Sequence, residues 1–580
     1  MNRERCEGWG LAGAAAVVAG VFAYSHGPII WKLAQETLFY ADFAGLRELL
    51  GPCSAPGGLL DWLARGVHVT GLGGVWWLFY MIAAAGTVLL WRHVFKTQRG
   101  GPLVALSFPA ALLCVYPALL AGTAVWMLDD PSAGFRNTFG LWTAMGVYVL
   151  GRSTRRWAAA VAAVLLFPWF GIYPILGAVA ASVWCLPLLL LPACAAPFYN
   201  DLAVGELYLR SGAVFDRLRF CPLNIWTAGA FACFFLAAAA ERFRWAEKAN
   251  GVRLLAKPRM RYGFLAVVLA AVAAGVWASR LRPDLRGQFT RERAVVECRW
   301  RDVLEVPPYN GNALRMESAY RILALQRLDM LPQHLFDEPL WSTHDSTDAQ
   351  EDLMDGHELL FAYGLLLPAR RYLFETMATK RWMPRHFQVL GDIALLFGEN
   401  ALAERNYKLM LRCPYYRDAA KARLALLNTE NPALPADLEQ VANMARTLMQ
   451  MLKEEKVEFF DVQQNAEQLV YSHFVSVKNC DAPTARFCIA CMQLEKKHAM
   501  LALNERLLTE MFGSAGNVPA SVQQALIVAG KQSALVSPVV MQQAVMYQAD
   551  ARRAMSGALA QDVFLSRWAT SYFFYNEFVK

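Results

Sequence analysis

The stretch ETLFYADFAGL, residues 36–46, sets two carboxylates, Glu36 and Asp42, among Leu38, Phe39, Tyr40, Phe43 and Leu46. Acids placed this way suit proton-transfer chemistry, or form the polar face of a helix lying on an apolar surface. Two other groups have residue types that could do chemistry. In NCDAPTARFCIACM, Cys488 and Cys491 fall one helical turn apart, with Cys480 and His498 near in sequence. A structural zinc site draws four ligands from two clusters, and there is one CxxC, so packed or disulfide-bonded cysteines are the expectation. The run HDSTDAQEDLMDGHE (344–358) gathers His344, Asp345, Asp348, Glu351, Asp352, Asp355, His357 and Glu358. It lacks calcium-loop spacing and reads as a solvated loop entering a helix. There is no Walker loop, dinucleotide fingerprint, GxSxG or HExxH, so no cofactor- or metal-binding set is legible and a soluble-type enzyme is not indicated.

The elements that would position these residues follow from composition. At 580 residues, 56% hydrophobic and 18% charged, with mean hydropathy +0.26, the chain is too apolar for a soluble protein of its length. The apolar excess lies in residues 1–282, which hold 24 Lys and Arg against 13 Asp and Glu; residues 283–580 hold 32 against 35. A cationic apolar half suits anionic lipid, and no basic patch points to nucleic acid. Uncharged spans are expected at 8–31, 72–91, 102–128, 137–151, 223–240 and 262–279. Between Trp157 and Asn200 lie 44 residues without a charge, broken by Pro168, Pro174, Pro187, Pro192 and Pro197.

Basic loops orient the spans. RHVFKTQR (92–99), RSTRR (152–156) and 241–261, with seven Lys and Arg against two acids, belong in the cytoplasm. The 44-residue stretch must then cross an odd number of times, which favours three short proline-broken segments, with a re-entrant piece as the alternative. The sum is about nine spans, an N-terminus inside, and the 27–70 loop and the 283–580 tail outside. KLAQETLFYADFAGLRELL and LLDWLARGVHV, separated by GPCSAPGG, read as two interfacial helices whose Glu36, Asp42 and Arg47 face headgroups or water.

A long first outer loop carrying an acid, on a many-spanning domain followed by an outer helical-repeat domain, resembles the GT-C superfamily of polyprenyl-phosphate-sugar glycosyltransferases. The resemblance implies that Asp42 acts as general base or metal orienter. Asp129 and Asp130 of WMLDDPSAGF would form a second acid site, and Lys32 or Arg65 would pair a lipid phosphate. The first loop departs from the superfamily pattern: it has the lone Asp42 and no paired DD, DE or ExD motif.

In the second half the apolar period shifts to three and four, so the tail is expected to be helical. In HFQVLGDIALLFGENALAERNYKLMLRCP, residues Phe387, Leu390, Gly391, Gly398, Ala403 and Tyr407 have tetratricopeptide-repeat spacing, with Pro414 one place early. Small Gly391 and Ala403 let two antiparallel helices approach, and Phe387 and Tyr407 fill the gap. One such unit cannot bury its own face, so irregular neighbours are expected. The expected fold class is therefore all-α, a polytopic bundle followed by a tetratricopeptide-like domain.

APGGLLDWLARG, WRDVLEVPPYNGNALRMESAYRILALQRLDMLPQHLFDE, LMLRCPYYRDAAKARLALL and FLSRWATSYFFYNEFVK together resemble an uncharacterised, domain-of-unknown-function family of bacterial polytopic membrane proteins. That resemblance implies a bacterial plasma-membrane location and brings no activity. Charged residues are nearly absent from the spans, which argues against a transport path. Two function classes remain: a membrane-anchored scaffold whose repeats bind a protein or peptide partner, and a GT-C-like transferase with a lipid-linked donor.

Overall fold

The computed structural model describes residues 3–25, 27, 38–50, 56–70, 76–95, 105–115, 133–153, 156–199, 207, 222–243, 258–280, 283–307, 315–338, 357–358, 360–379, 382–429, 433–455, 482–494 and 496–578. Among them every regular element is helical. The chain divides into two compact units. The first joins Met1–Arg286 with Trp382–Gly391 and Glu404–Asn428; the second holds Gly287–Arg381, Asp392–Ala403 and Thr429–Lys580.

The first unit contains α1 (Arg3–Ser25), α2 (Phe43–Leu50), α3 (Gly58–Thr70), α4 (Trp76–Val94), α5 (Ser107–Val115), α6 (Ala133–Ser153), α7 (Arg156–Phe170), α8 (Tyr173–Ala181), α9 (Pro222–Arg242) and α10 (Pro258–Arg280). Helix α1 packs on α4, α5 and α10. Its contact face sets small residues beside larger ones: Ala12, Ala15, Ala19 and Ala23 are buried with Leu11, Val18 and Phe22, and a Cβ on Gly20 would sit 2.7 Å from Met81 Cγ. Small side chains let apolar helices approach closely, which raises dispersion contact. Among the described residues one apolar helix segment, Trp77–Val94, is long enough to cross a bilayer unaided; Trp9–Ser25, Trp157–Phe170, Val183–Phe198 and Tyr262–Ala273 are shorter apolar stretches.

The proline-broken stretch forms three strokes. Helix α7 runs 15 residues to Phe170, Gly171 turns the chain at φ 65°, and α8 runs nine residues back. A 3-10 helix over Val183–Leu190 then leads through Leu191–Ala195 into a last 3-10 turn at Ala196–Phe198. Pro187, Pro192 and Pro197 recur every five residues there. Each removes a backbone donor, which prevents a continuous α-helix. Close approach fixes the path. A Cβ on Gly140 would lie 2.5 Å from the Tyr173 ring, one on Gly177 would lie 2.3 Å from the Ala144 carbonyl, and one on Gly151 would meet the Ala159 and Ala181 methyl groups within 2.8 Å.

Polar contacts gather at the two ends of α6. At its last turn Arg152 donates to the Val94 carbonyl (3.2 Å) and pairs with Glu241, to which the Tyr148 hydroxyl also donates (2.7 Å). At its first turn Arg136 pairs with Asp61 (3.4 Å), and the Tyr173 hydroxyl donates to Asn137 (2.9 Å). Sixteen residues separate Arg136 from Arg152, a rise of about 24 Å along the helix axis. Buried apolar side chains such as Leu141, Ala144, Met145 and Phe234 fill the space between.

The remaining helices used below are α11 (Arg315–Arg327), α12 (Leu366–Thr379), α13 (Pro384–Leu396), α14 (Asn400–Leu411), α15 (Arg417–Leu427), α16 (Ala482–Leu494), α17 (Ala520–Val528), α18 (Pro538–Met555), α19 (Gln561–Trp568) and α20 (Tyr572–Phe578). Helices α13 and α14 form the hairpin expected from the repeat spacing. Gly398 turns the chain at φ 77°, and Phe387, Ala403 and Tyr407 are buried. A Cβ on Gly391 would lie 2.4 Å from the Tyr407 ring, so a glycine is what lets the tyrosine lie across the partner helix. In the second unit Leu335, Ile489, Leu508, Val522 and Leu526 share one core, and Tyr547, Phe564, Trp568 and Phe573 form an aromatic one.

Candidate functional site

The site begins at residues 38–42, which are not helical: α2 starts at Phe43. The sequence pattern suggests one helix across 32–50, of which 32–37 lie outside the described residues. The helix starts where it does because Asp42 is an N-cap. Its Oδ1 accepts from the Gly45 backbone N–H at 2.7 Å, filling one of the donors that a helix start leaves open.

Both carboxylate oxygens of Asp42 also face Arg412, at the end of α14. The arginine Nε donates to Oδ2 at 2.8 Å and Nη2 donates to Oδ1 at 3.1 Å. This forked geometry matches the planar guanidinium to the planar carboxylate. The guanidinium carbon lies 4.0 Å from the centroid of the Tyr40 ring, a cation–π placement, and the Ala41 N–H donates to the Arg412 carbonyl at 3.3 Å. The hydrogen bond from Arg412 is the main cause that holds the Asp42 carboxyl below its ordinary value. Next along the chain, burial pushes the Cys413 thiol up to about 12.

Helix α3 supports the other side of the stretch. Trp62 Nε1 donates to the Tyr40 carbonyl (3.1 Å), its ring lies 5.5 Å from that of Phe39, and Arg65 donates to the Leu38 carbonyl (3.4 Å). Gly66 leaves room for the Phe39 ring, which would lie 3.1 Å from a Cβ there. The first turn of α3 is tied down by the Gly57 N–H, which donates to the Pro168 carbonyl at 3.0 Å. Asp61 joins Arg65 (2.8 Å) to Arg136 (3.4 Å), so one acid holds two arginines from different helices.

Two of the residues selected from sequence, Asp42 and Arg65, thus brace the same extended stretch, each with its own ionic partner. Lys32, Asp129 and Asp130 lie outside the described residues, as does most of the acidic run; His357 Nε2 lies 3.9 Å from Glu358. Among the described residues no three His, Cys, Asp or Glu side chains converge on a metal position. His498 faces the Tyr572 hydroxyl at 3.5 Å, and burial lowers its pKa. Arg412 and Asp61 were not singled out in sequence. Asp61 carries a weak local signal, its i,i+4 spacing to Arg65, and Arg412 carries none.

The brace, the hairpin and the helices that hold them all lie within one matched region. A family model described as a family of unknown function (DUF6057) matches residues 5–579. The chain belongs to the DUF6057 family. No curated protein and no solved structure matches it. The chemistry of this DUF6057 member therefore has to be read from its own residues. At Asp42 those residues make a capped, ion-paired joint that ties α2 and α3 to the end of the α13–α14 hairpin.

Proposed function

We propose that this DUF6057 protein is a multi-pass protein of the bacterial plasma membrane whose extracytoplasmic helical tail is a scaffold for binding or assembling a protein or peptide partner. The observation that carries this reading is the commitment of Asp42. Its two oxygens are occupied by a cap donor and a forked arginine, which is the chemistry of a structural joint. A general base needs a lone pair free to reach its proton. On the GT-C-like reading Asp42 would have to exchange Arg412 for substrate, and its assisting acids would be Asp129 and Asp130.

Three features support the membrane part. The Arg152 and Glu241 cluster draws together the ends of α4, α6 and α9, so the basic loops 92–99, 152–156 and 241–261 leave from one end, as the positive-inside rule requires. The polar belts at the two ends of α6, about 24 Å apart along the axis, bracket an apolar layer close to hydrocarbon thickness. Large apolar side chains of the proline-broken stretch point outward: Leu165 is 68% exposed, Trp184 82% and Phe198 77%. In water such a surface would drive association; against lipid it carries no such cost. The Asp42–Arg412 contact further requires an even number of crossings between those residues, in keeping with a loop and tail on the same, outer side.

The test compares Asp42→Asn with Arg412→Gln. A joint gives both variants the same defect and makes the double variant no worse than either. A catalytic Asp42 would instead make Asp42→Asn inactive at unchanged stability, with Arg412→Gln mild.

A further inference from the structure

The outward face of α18 has an unusual make-up. At 100° per residue, Val540, Ala544, Tyr547 and Ala551 fall on the core side and are buried. The opposite arc holds Val539 (65% exposed), Met541 (45%), Val545 (65%) and Met546 (47%), and Met555 (66%) is exposed where the helix ends. Between them lie the exposed Gln542, Gln548, Ala549, Arg552 and Arg553. The single acid of the helix, Asp550, turns inward, where it accepts from Arg567 (2.6 Å) and Trp568 Nε1 (3.1 Å) and lies 3.9 Å from the 60%-exposed Arg553, which still reaches the surface. The outward arc is therefore apolar, cationic and free of acid. On the adjacent α19, Arg567 is engaged by Asp550 and Asp562 is exposed, so the two helices together carry three arginines against two acids.

Isolated exposed apolar residues are ordinary, but four on one arc of an 18-residue helix, with a fifth at its end, make a patch that needs a covering surface. Two properties favour lipid over protein as the cover. Arginines beside flexible thioether and valine side chains, without acid, match an interface with anionic headgroups outside and acyl chains within. A chain already held in a bilayer also keeps this helix at high effective concentration near the same surface, so a modest intrinsic affinity suffices. We propose that α18 is a membrane-docking surface, which seats its Met and Val side chains in the headgroup region of an anionic bilayer and sets Arg552 and Arg553 on lipid phosphates. This rests on the membrane reading above.

The full chain, reconstituted in wide lipid nanodiscs, gives the test. Brief hydroxyl-radical exposure followed by mass spectrometry reports the oxidation of Met541, Met546 and Met555, with buried Met410 as the internal reference. Docking predicts oxidation lower by about fivefold or more in discs with phosphatidylglycerol than in phosphatidylcholine alone, because one arginine at a charged surface contributes about that factor. Arg552→Glu/Arg553→Glu should restore oxidation in the anionic discs, and so should Val545→Glu if the double variant melts early. Equal oxidation in both lipids overturns the proposal. So does protection that persists in detergent and grows with protein concentration, which would assign the face to a second copy, or protection that appears only on adding a protein partner. Failure of the chain to remain in discs at all would overturn the membrane reading instead.

Discussion

Arg412 grips Asp42 with two nitrogens while its guanidinium carbon lies 4.0 Å from the centroid of the Tyr40 ring. The pair is partly exposed, 43% on the acid side and 24% on the arginine side, so water and salt weaken it. Its strength lies in the geometry: the fork, the ring and the cap act on one short stretch.

A double-mutant cycle on Asp42→Asn and Arg412→Gln should give a coupling of about 0.5 to 1 kcal/mol, the upper part of the range for exposed pairs. Asn still caps a helix, so Asp42→Ala should cost about 1 kcal/mol beyond Asp42→Asn. Thermal melting in detergent at low salt reads both differences, and additivity would show that the contact is not formed in solution.

The pH response follows from the lowered Asp42 pKa, whose largest cause is the Arg412 hydrogen bond. A depressed folded value means the contribution is fully present above the ordinary value of 3.8 and is lost as pH falls through the folded one. The stability gap between the native chain and Arg412→Gln should be flat from pH 7 to pH 5 and close only below the ordinary value. A gap that closes near pH 6 would point to a different titrating group.

Gly391→Ala should destabilise the α13–α14 hairpin by about 1 to 3 kcal/mol through overpacking. The new Cβ would stand 2.4 Å from the Tyr407 ring, a fully buried side chain with little room to move. Tyr407→Leu in the same chain should recover part of the loss. An unchanged melting temperature for Gly391→Ala would remove the close helix approach.

Cys298, an exposed thiol, follows the last expected span closely enough to report sidedness. A membrane-impermeant maleimide should label it in intact spheroplasts, and Cys298→Ala should lose that label. Labelling that needs permeabilised cells would invert the orientation of the whole chain.

Much of the helical pattern was legible. The uncharged runs and their basic flanks marked α1, α4, α6, α9 and α10, and the repeat spacing led to the Gly391–Tyr407 contact. Charge parity led to an expectation of three short crossings, or a re-entrant piece, in the proline-broken stretch, but it carries no sign that Val183–Leu190 is a 3-10 run. Whether a Pro every five residues gives a kinked α-helix or a 3-10 run depends on what packs beside it, here α7 and α8. The extended 38–42 stretch was hidden for a related reason. Its apolar residues fit helical spacing, and what straightens it is an arginine 370 positions away. Helix propensity is local, whereas that competing contact is not.

That separation also has a duration. Chains grow at about 5 to 20 residues per second, so some 20 to 70 seconds pass between the synthesis of Asp42 and that of Arg412. Throughout that interval the aspartate can cap its own helix but lacks the arginine that completes the brace. The stretch around Asp42 is thus among the earliest parts of the chain to be made and among the last to be secured.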